Sequence, residues 1–152
     1  MNRLTTPFKL WKDFTFEAAH QLTKVPDHHQ CGKLHGHSYR VRIHCEGTLN
    51  PELHWVVDYA EISKAVSPLV DELDHTFLNH HLNIETTAEN LAWWFADKIL
   101  KSEKLPSLCG VEIFETPTTS VYLPVTPDPQ ASAPDGPVSD ADAQESPSDN
   151  PT

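Results

Sequence analysis

The chain has 152 residues, 38% of them hydrophobic, and its 22 acidic against 11 basic residues give a formal net charge of −11. This length suits one small folded domain, and the acidic balance argues against nucleic-acid binding, which favours a basic face. No stretch approaches the roughly 20 apolar residues of a membrane-spanning helix, and residues 1–13 lack the apolar core of a secretory signal. The three cysteines are too few for a disulfide scaffold. We therefore predict a cytoplasmic protein with neither a membrane nor a nucleic-acid partner.

Two strands are predicted first along the chain. Residues 8–19 and 38–47 alternate apolar and polar side chains with the period of two that a half-buried strand shows. Residues 21–30 between them are mostly polar and are predicted to form a loop.

Two helices are predicted next, over residues 59–73 and 88–100, each with an apolar stripe. Asp58 is the expected N-cap of the first helix, and Thr86 or Thr87 begins the second. Pro68 is expected to kink or weaken the first helix. Residues 110–115 and 120–123 then form two further strands joined by a tight turn at Pro117. The order β-β-α-α-β-β predicts an α+β fold in which a four-stranded antiparallel sheet packs on two helices.

The composition changes at residue 123. All eleven Lys and Arg precede that position, whereas residues 124–152 hold six acidic residues, many Pro, Ser and Ala, and no aromatic residue. Such a segment buries too little apolar surface to offset the entropy lost on ordering. We therefore predict a folded domain over residues 1–123 and a disordered acidic tail over residues 124–152. The tail is interpreted as solubilising, with an interaction segment as the alternative.

The segment Cys31-Gly32-Lys33-Leu34-His35-Gly36-His37 carries the strongest chemical signal. On a strand, residues i and i+2 face the same side, so His35 and His37 can reach one ion, and the alternation of the first strand brings His20 to its end. Three His ligands with an open fourth position are typical of catalytic zinc, whereas structural zinc is usually closed by four Cys or His ligands. Cys31 is then either a fourth, structural ligand or a thiolate that acts as a base or nucleophile.

Further motifs follow in a fixed order along the chain. They are Phe16-Glu17-Ala18-Ala19-His20, the Cys31 segment continued through Ser38-Tyr39, Asp58-Tyr59, Leu73-Asp74-His75, Thr87-Ala88-Glu89-Asn90 and Glu115-Thr116. In this order they resemble the 6-pyruvoyl-tetrahydropterin synthase family over residues 8–123. The form Cys-Gly-x-Leu-His-Gly-His-Ser is similar to its 6-carboxy-tetrahydropterin synthase branch, the enzyme of queuosine precursor synthesis.

The resemblance implies a fold, an assembly and a reaction. The fold is the tunnelling fold, in which the sheets of several subunits join into a barrel, and the assembly is a homo-oligomer, a hexamer built as a dimer of trimers. The reaction is that of a zinc-dependent lyase, which converts 7,8-dihydroneopterin triphosphate to 6-carboxy-5,6,7,8-tetrahydropterin, acetaldehyde and triphosphate. Zn²⁺ is the only cofactor that the resemblance implies.

The resemblance also implies catalytic roles for individual residues. Zinc would be held by the three histidines named above. Cys31 matches the family's proton-abstracting thiolate. Asp74 and His75 match its Asp-His pair, in which the carboxylate orients the imidazole and stabilises its charged form while the ring shuttles protons.

A second group of residues is implied to bind the substrate. Glu115 matches the carboxylate that anchors the pterin, whose 2-amino group and ring N–H are adjacent donors that one carboxylate can accept. Thr87 and Glu89 fall on the family's pattern at the start of the second helix, where Ala88 replaces a usual hydroxyl residue and puts one side-chain contact in doubt. The candidate cations for the triphosphate are Lys24, Lys33, Arg40 and Arg42.

Several alternatives stay open on the sequence. The chain could be a 6-pyruvoyl-tetrahydropterin synthase, which uses the same substrate, or a non-catalytic zinc-stabilised module that binds a pterin. The presence of both Cys31 and the Asp74-His75 pair argues against a binding module, since binding alone needs neither. An isolated Asp-His pair is otherwise an ordinary helix end, Glu115 a solvated charge, and Glu89 a residue that favours the helix dipole.

Overall fold

The computed structural model describes residues 2–126. The strands in this part of the chain are β1 (Phe8–His20), β2 (His35–Gly47), β3 (Thr76–Phe77), β4 (Leu108–Thr116) and β5 (Thr119–Pro124). The helices are α1 (Tyr59–Leu73), α2 (Leu78–His81) and α3 (Ala88–Ser102), and a 3-10 turn spans Gln30–Gly32. The strands form one sheet in the order β3-β1-β2-β4-β5.

The predicted α+β fold is confirmed, with additions. The four long strands pair antiparallel, and the two long helices lie where the sequence predicts them. The prediction of four strands and two helices missed one short strand, β3, and one short helix, α2. Two residues are too few to show an alternating pattern. The strand β3 forms because His75, with φ of 57°, turns the chain after α1 and donates its N–H to the carbonyl of Glu17 at 2.6 Å. The chain then continues parallel to β1.

One face of the sheet is covered by α1 and α3. Tyr39, Val41, Ile43 and Cys45 alternate along β2 onto this face and are fully buried. Burying an apolar side chain of the size of valine or isoleucine contributes about 1.5–3 kcal/mol. We call this side the covered face and the opposite side, which carries the intervening polar residues of β1 and β2, the open face.

The helix starts follow local capping. The Asp58 carboxylate accepts the N–H of Ala60 at 2.8 Å, so α1 begins at the predicted residue. Thr87, rather than Thr86, caps α3 by accepting the N–H of Asn90 at 3.3 Å. Pro68 lies inside α1 on its exposed side, and the helix continues to Leu73. The buried stripe of α1 therefore offsets the cost of that proline.

The predicted boundary at residue 123 falls inside β5, which ends at Pro124. Val125 continues the sheet, because its N–H donates to the carbonyl of Cys109 at 2.9 Å and its side chain packs against the core. The rest of the predicted tail, residues 127–152, lies outside the described residues. Within residues 2–126, no helix has both the length and the apolar character needed to cross a membrane.

Candidate metal centre and active site

The three predicted metal ligands meet at the end of the β1–β2 ladder. β2 begins at His35, three residues earlier than predicted, and the antiparallel register pairs His35 with His20 and His37 with Ala18. All three imidazoles therefore lie on the covered face. One ring nitrogen from each histidine lies within 4.8 Å of the others. Ala18 is small, which leaves room for the ring opposite to it.

Backbone carbonyls fix the tautomers of two of these histidines. His20 Nδ1 lies 2.8 Å from the carbonyl of Thr86, and His35 Nδ1 lies 2.7 Å from the carbonyl of Lys33. A carbonyl only accepts hydrogen bonds, so each Nδ1 carries the proton and each Nε2 presents a lone pair.

The two Nε2 atoms are 3.0 Å apart. Two lone pairs at this distance repel each other unless a cation lies between them. Burial lowers the pKa of His20, which is 1% exposed, and this disfavours a proton as that cation. The donor set of two fixed Nε2 atoms and His37 therefore fits a metal ion that prefers imidazole nitrogen.

Cys31 lies in the 3-10 turn before β2 and is partly buried. Its N–H donates to His29 Nδ1 at 3.2 Å, and its carbonyl accepts the N–H of Leu22 at 2.9 Å. Within residues 2–126, the cluster of potential metal-ligand atoms contains the three histidines and not this thiol. The structure thus brings the histidines together and holds Cys31 on a separate, tethered turn.

Asp74 and His75 form a hydrogen-bonded pair. Asp74 Oδ2 lies 2.9 Å from His75 Nδ1, and Asp74 Oδ1 accepts the N–H of Glu17 at 2.8 Å. The backbone N–H of Glu17 and the His75 ring both lower the pKa of Asp74, which keeps it ionised. Asp74 also ends α1, so it has a structural task as well. The His75 side chain is 78% exposed and lines a cleft of about 540 Å³ that His37 also lines.

Glu115 lies in a second cleft, of about 470 Å³, whose lining includes His37, Arg40 and Phe114. Burial raises the pKa of the Glu115 carboxyl, His37 opposes that shift, and Glu89 adds to it. Glu115 is therefore not a plain solvated charge. Since His37 lines both clefts, one metal ligand lies between the Asp74-His75 pair and Glu115.

The start of α3 is less directly involved than the sequence indicated. Thr87 uses its hydroxyl as the helix N-cap, Glu89 is exposed in the first turn, and Ala88 is 7% exposed. The residue that contacts the histidine group is Thr86, which is fully buried and whose carbonyl holds His20. The sequence offered Thr86 only as an alternative helix start.

Sequence reasoning also missed a set of supporting residues. Asn79 binds the backbone of Gln21, and the Glu85 carboxylate accepts hydrogen bonds from the backbone and hydroxyl of Thr23 and from the N–H of Lys24. These contacts join residues about 60 positions apart, and no local pattern marks them. Tyr39 is fully buried, and its hydroxyl has no hydrogen-bond partner within residues 2–126. Its ring contacts His20 and His37, and burial raises its pKa.

Comparisons with known proteins agree with this geometry. Residues 9–124 match the family model of 6-pyruvoyl tetrahydropterin synthase. A 6-carboxy-5,6,7,8-tetrahydropterin synthase from Synechocystis is 39% identical over 119 residues, 73% of this chain and 88% of that protein. A dihydroneopterin monophosphate aldolase from Pyrococcus furiosus is 34% identical over 58% of this chain and 71% of that protein. The structure of Caenorhabditis elegans 6-pyruvoyl tetrahydropterin synthase superposes with a TM-score of 0.72 at 25% identity, covering 83% of this chain and all of that one.

The chain therefore belongs to the 6-pyruvoyl tetrahydropterin synthase family. The predicted tunnelling fold and the assignment to a family of pterin lyases are confirmed.

Proposed function

We propose that this protein is a zinc-dependent 6-carboxy-tetrahydropterin synthase. It would convert 7,8-dihydroneopterin triphosphate and one water to 6-carboxy-5,6,7,8-tetrahydropterin, acetaldehyde and triphosphate in queuosine precursor synthesis. The observation that carries the proposal is that His37, one of the three clustered histidines, lines both the cleft of His75 and the cleft of Glu115. The 39% identity with the Synechocystis relative supports this branch over others.

Zinc is the proposed occupant of the histidine group. A zinc ion bound there would polarise the oxygen atoms of the substrate side chain and acidify the neighbouring C–H. His20 and His35 are prepared for this task, because the carbonyls of Thr86 and Lys33 fix their rings with Nε2 directed at each other.

Proton transfer is assigned to two groups. The Cys31 thiolate takes a proton from the substrate side chain, and the backbone contacts on both sides of Cys31 hold its turn in place. The exposed ring of His75 gives up or accepts protons through Nε2, while the ionised Asp74 holds Nδ1 and stabilises the imidazolium.

Glu115 is the proposed anchor for the pterin ring. One carboxylate can accept hydrogen bonds from the adjacent 2-amino group and ring N–H, and its half-buried position in a cleft strengthens such bonds. The two donors would in turn favour the ionised carboxylate and reverse the upward pKa shift that burial alone produces.

Among the four candidate cations, Arg40 is best placed for the triphosphate. Arg42 is committed to Asp13 through two hydrogen bonds of 2.7 and 2.9 Å. Arg40 lines the cleft of Glu115, stacks 3.8 Å from the centre of the Phe114 ring and reaches Asp13 only at 3.8 Å. Its guanidinium donors therefore remain available for phosphate oxygens.

The proposed assembly is a homo-oligomer, a hexamer of two stacked trimers. It is supported by the sheet edges at β3 and β5 and by exposed aromatic side chains such as Tyr122 on β5. A cytoplasmic location remains a prediction.

Product analysis tests the reaction. The zinc-loaded protein is incubated with 7,8-dihydroneopterin triphosphate, and the pterin product is identified by mass spectrometry, with the Cys31→Ala variant as control. We expect a carboxy product that has lost two carbons as acetaldehyde. A product that keeps all carbons would assign the chain to 6-pyruvoyl-tetrahydropterin synthase. Binding without turnover would reduce it to a pterin-binding module.

A further inference from the structure

Asn79 makes two hydrogen bonds to a single backbone unit next to the histidine group. Its side-chain N–H donates to the carbonyl of Gln21 at 2.7 Å, and its Oδ1 accepts the N–H of Gln21 at 2.9 Å. Gln21 directly follows His20, where β1 ends. The side-chain amide of Asn79 thus pairs with both backbone groups of Gln21, as the backbone of a neighbouring strand would.

The segment held by Asn79 in turn holds the turn of Cys31. The side-chain N–H of Gln21 donates to the carbonyl of Gly32 at 2.8 Å, and the N–H of Leu22 donates to the carbonyl of Cys31 at 2.9 Å. A continuous path of hydrogen bonds therefore runs from Asn79 through residues 21 and 22 to the residue that carries the thiol.

Asn79 also shares a short segment with the proton-shuttling pair. Asp74 and His75 bind both backbone groups of Glu17, four residues before Gln21 on β1. Residues 74–79 thus contact the chain before His20, at Glu17, and after it, at Gln21. These contacts connect the turn of Cys31, the Asp74-His75 pair and the segment that carries His20 through one set of hydrogen bonds.

We propose that Asn79 is a positioning residue for the Cys31 thiol. It fixes the chain where β1 ends, and with it the turn that carries the thiol. This inference rests on the proposed function, in which Cys31 moves a proton. A side chain that merely closed a strand end would stabilise the fold without influencing the thiol.

Asn79→Ala is the test variant, and Asn50→Ala is its matched control. Asn50 also makes two hydrogen bonds of 2.9 Å to backbone, accepting the N–H groups of Glu52 and Leu53, but it lies beyond the far end of β2. Hydrogen–deuterium exchange and alkylation by iodoacetamide are measured on the zinc-loaded full chain without substrate. The label is located by peptide mass spectrometry. The other two cysteines are buried, whereas Cys31 is partly exposed, so we expect iodoacetamide to reach Cys31 first.

We expect Asn79→Ala to speed exchange of the Leu22 amide and alkylation of Cys31 by at least about threefold each, because the turn loses its support. Zinc content should stay unchanged, since the β1–β2 register still aligns the histidines. In turnover, kcat should fall at least about tenfold with KM within about twofold. Asn50→Ala should match the parent in every reading. Unchanged exchange and alkylation in Asn79→Ala would overturn the proposal.

A second variant keeps the test decisive if Asn79→Ala does not fold. Gln21→Ala removes only the side-chain bond to Gly32 and should change alkylation and kcat in the same direction. Unchanged alkylation in Gln21→Ala would then overturn the proposal. Where Asn79→Ala does fold, the two changes should not add in the double variant, because both interrupt one path. Additive effects, or zinc loss that parallels the loss of turnover, would assign Asn79 a structural role. If the parent itself does not turn over, the proposed reaction fails. Exchange and alkylation then still decide whether Asn79 positions the thiol.

Discussion

The two faces of the β1–β2 ladder both carry histidines, but they satisfy them differently. On the open face, His44 Nε2 lies 3.2 Å from a carboxylate oxygen of Glu112, an ordinary partly exposed pair. On the covered face, His20 is buried, and its Nε2 faces the Nε2 of His35. Both side chains are imidazoles, but the fold places a carboxylate next to His44 and a second imidazole next to His20. On the open face a carboxylate lies within hydrogen-bonding distance of the imidazole, whereas on the covered face two Nε2 lone pairs face each other and a cation can satisfy both.

Removing one histidine from each face tests whether only the covered face holds a metal ion. His35→Ala should take the zinc content from about one per subunit to near zero, because two imidazoles no longer hold a catalytic site. Turnover should fall more than about 100-fold, which exceeds the effect of removing a residue that only orients a ligand. His44→Ala is the control and should keep its zinc. Metal analysis after gel filtration checks both variants, and equal zinc loss in the two would contradict the site.

The cysteines allow a second comparison, between a thiol beside the site and one in the core. Cys31→Ala should keep its zinc and lose about 10²–10⁴-fold in turnover, the range for general acid–base catalysis. Cys45→Ala removes a fully buried sulfur and should cost about 1 kcal/mol in the free energy of unfolding while sparing turnover. The two readings are metal content and kcat. Zinc loss in Cys31→Ala comparable to that in His35→Ala would make Cys31 a ligand.

Glu115 and Glu112 lie on β4 and give a third pair, one on each face. Glu115→Gln should weaken binding of a pterin that lacks the phosphorylated side chain by about 2–4 kcal/mol, because an amide N–H then opposes a ring donor. Zinc should stay bound. Glu112→Gln, whose partners are His44 and Ser120, should bind the pterin normally. Calorimetric titration measures both affinities. An unchanged affinity in Glu115→Gln would mean that this carboxylate does not bind the pterin ring.

The sequence predicted most of this comparison because its signals are local. Alternation located both faces of β1 and β2, and capping residues located the helices. What it could not supply is contact across the chain. The carbonyl of Thr86 reaches His20 from 66 positions away, and Asn79 reaches Gln21 from 58. Backbone carbonyls and loop amides have no residue-type signature, so the supporting shell of the site was not visible. The strand β3 escaped for the same reason, since a single bond between His75 and Glu17 starts it.

The contribution of the open face to the free energy of unfolding also depends on pH. The Arg42 guanidinium beside Asp13 holds the pKa of that carboxyl below its usual value of about 3.9. The stabilisation is fully present above the unfolded pKa and is lost as the pH falls through the folded one. Asp13→Asn should therefore destabilise the fold by less than about 1 kcal/mol at pH 7, and the difference should vanish as the pH falls through the folded-state pKa of Asp13. Urea titrations at several pH values measure it, with the exposed Asp71→Asn as control.

Glu115 has the opposite sign on the covered face, since burial raises its pKa. In the ligand-free protein its charge opposes folding as the pH rises, so Glu115→Gln should not destabilise the fold at pH 7. Destabilisation by Glu115→Gln at pH 7 that shrinks on acidification, as in Asp13→Asn, would contradict the assignment of the two environments.

The end of the sheet and the predicted acidic tail are compared by two truncations. A chain truncated after Thr126 should keep its zinc, oligomer size and turnover, because the removed segment is rich in Pro and acidic residues and poor in apolar ones. Truncation after Leu123 also removes the bond from Val125 to Cys109 and the packing of Val125, and it should cost about 1–2 kcal/mol. Size-exclusion chromatography and urea unfolding compare the two. A smaller oligomer in the chain that ends at Thr126 would mean that the tail takes part in assembly, because the described sheet is intact in that variant.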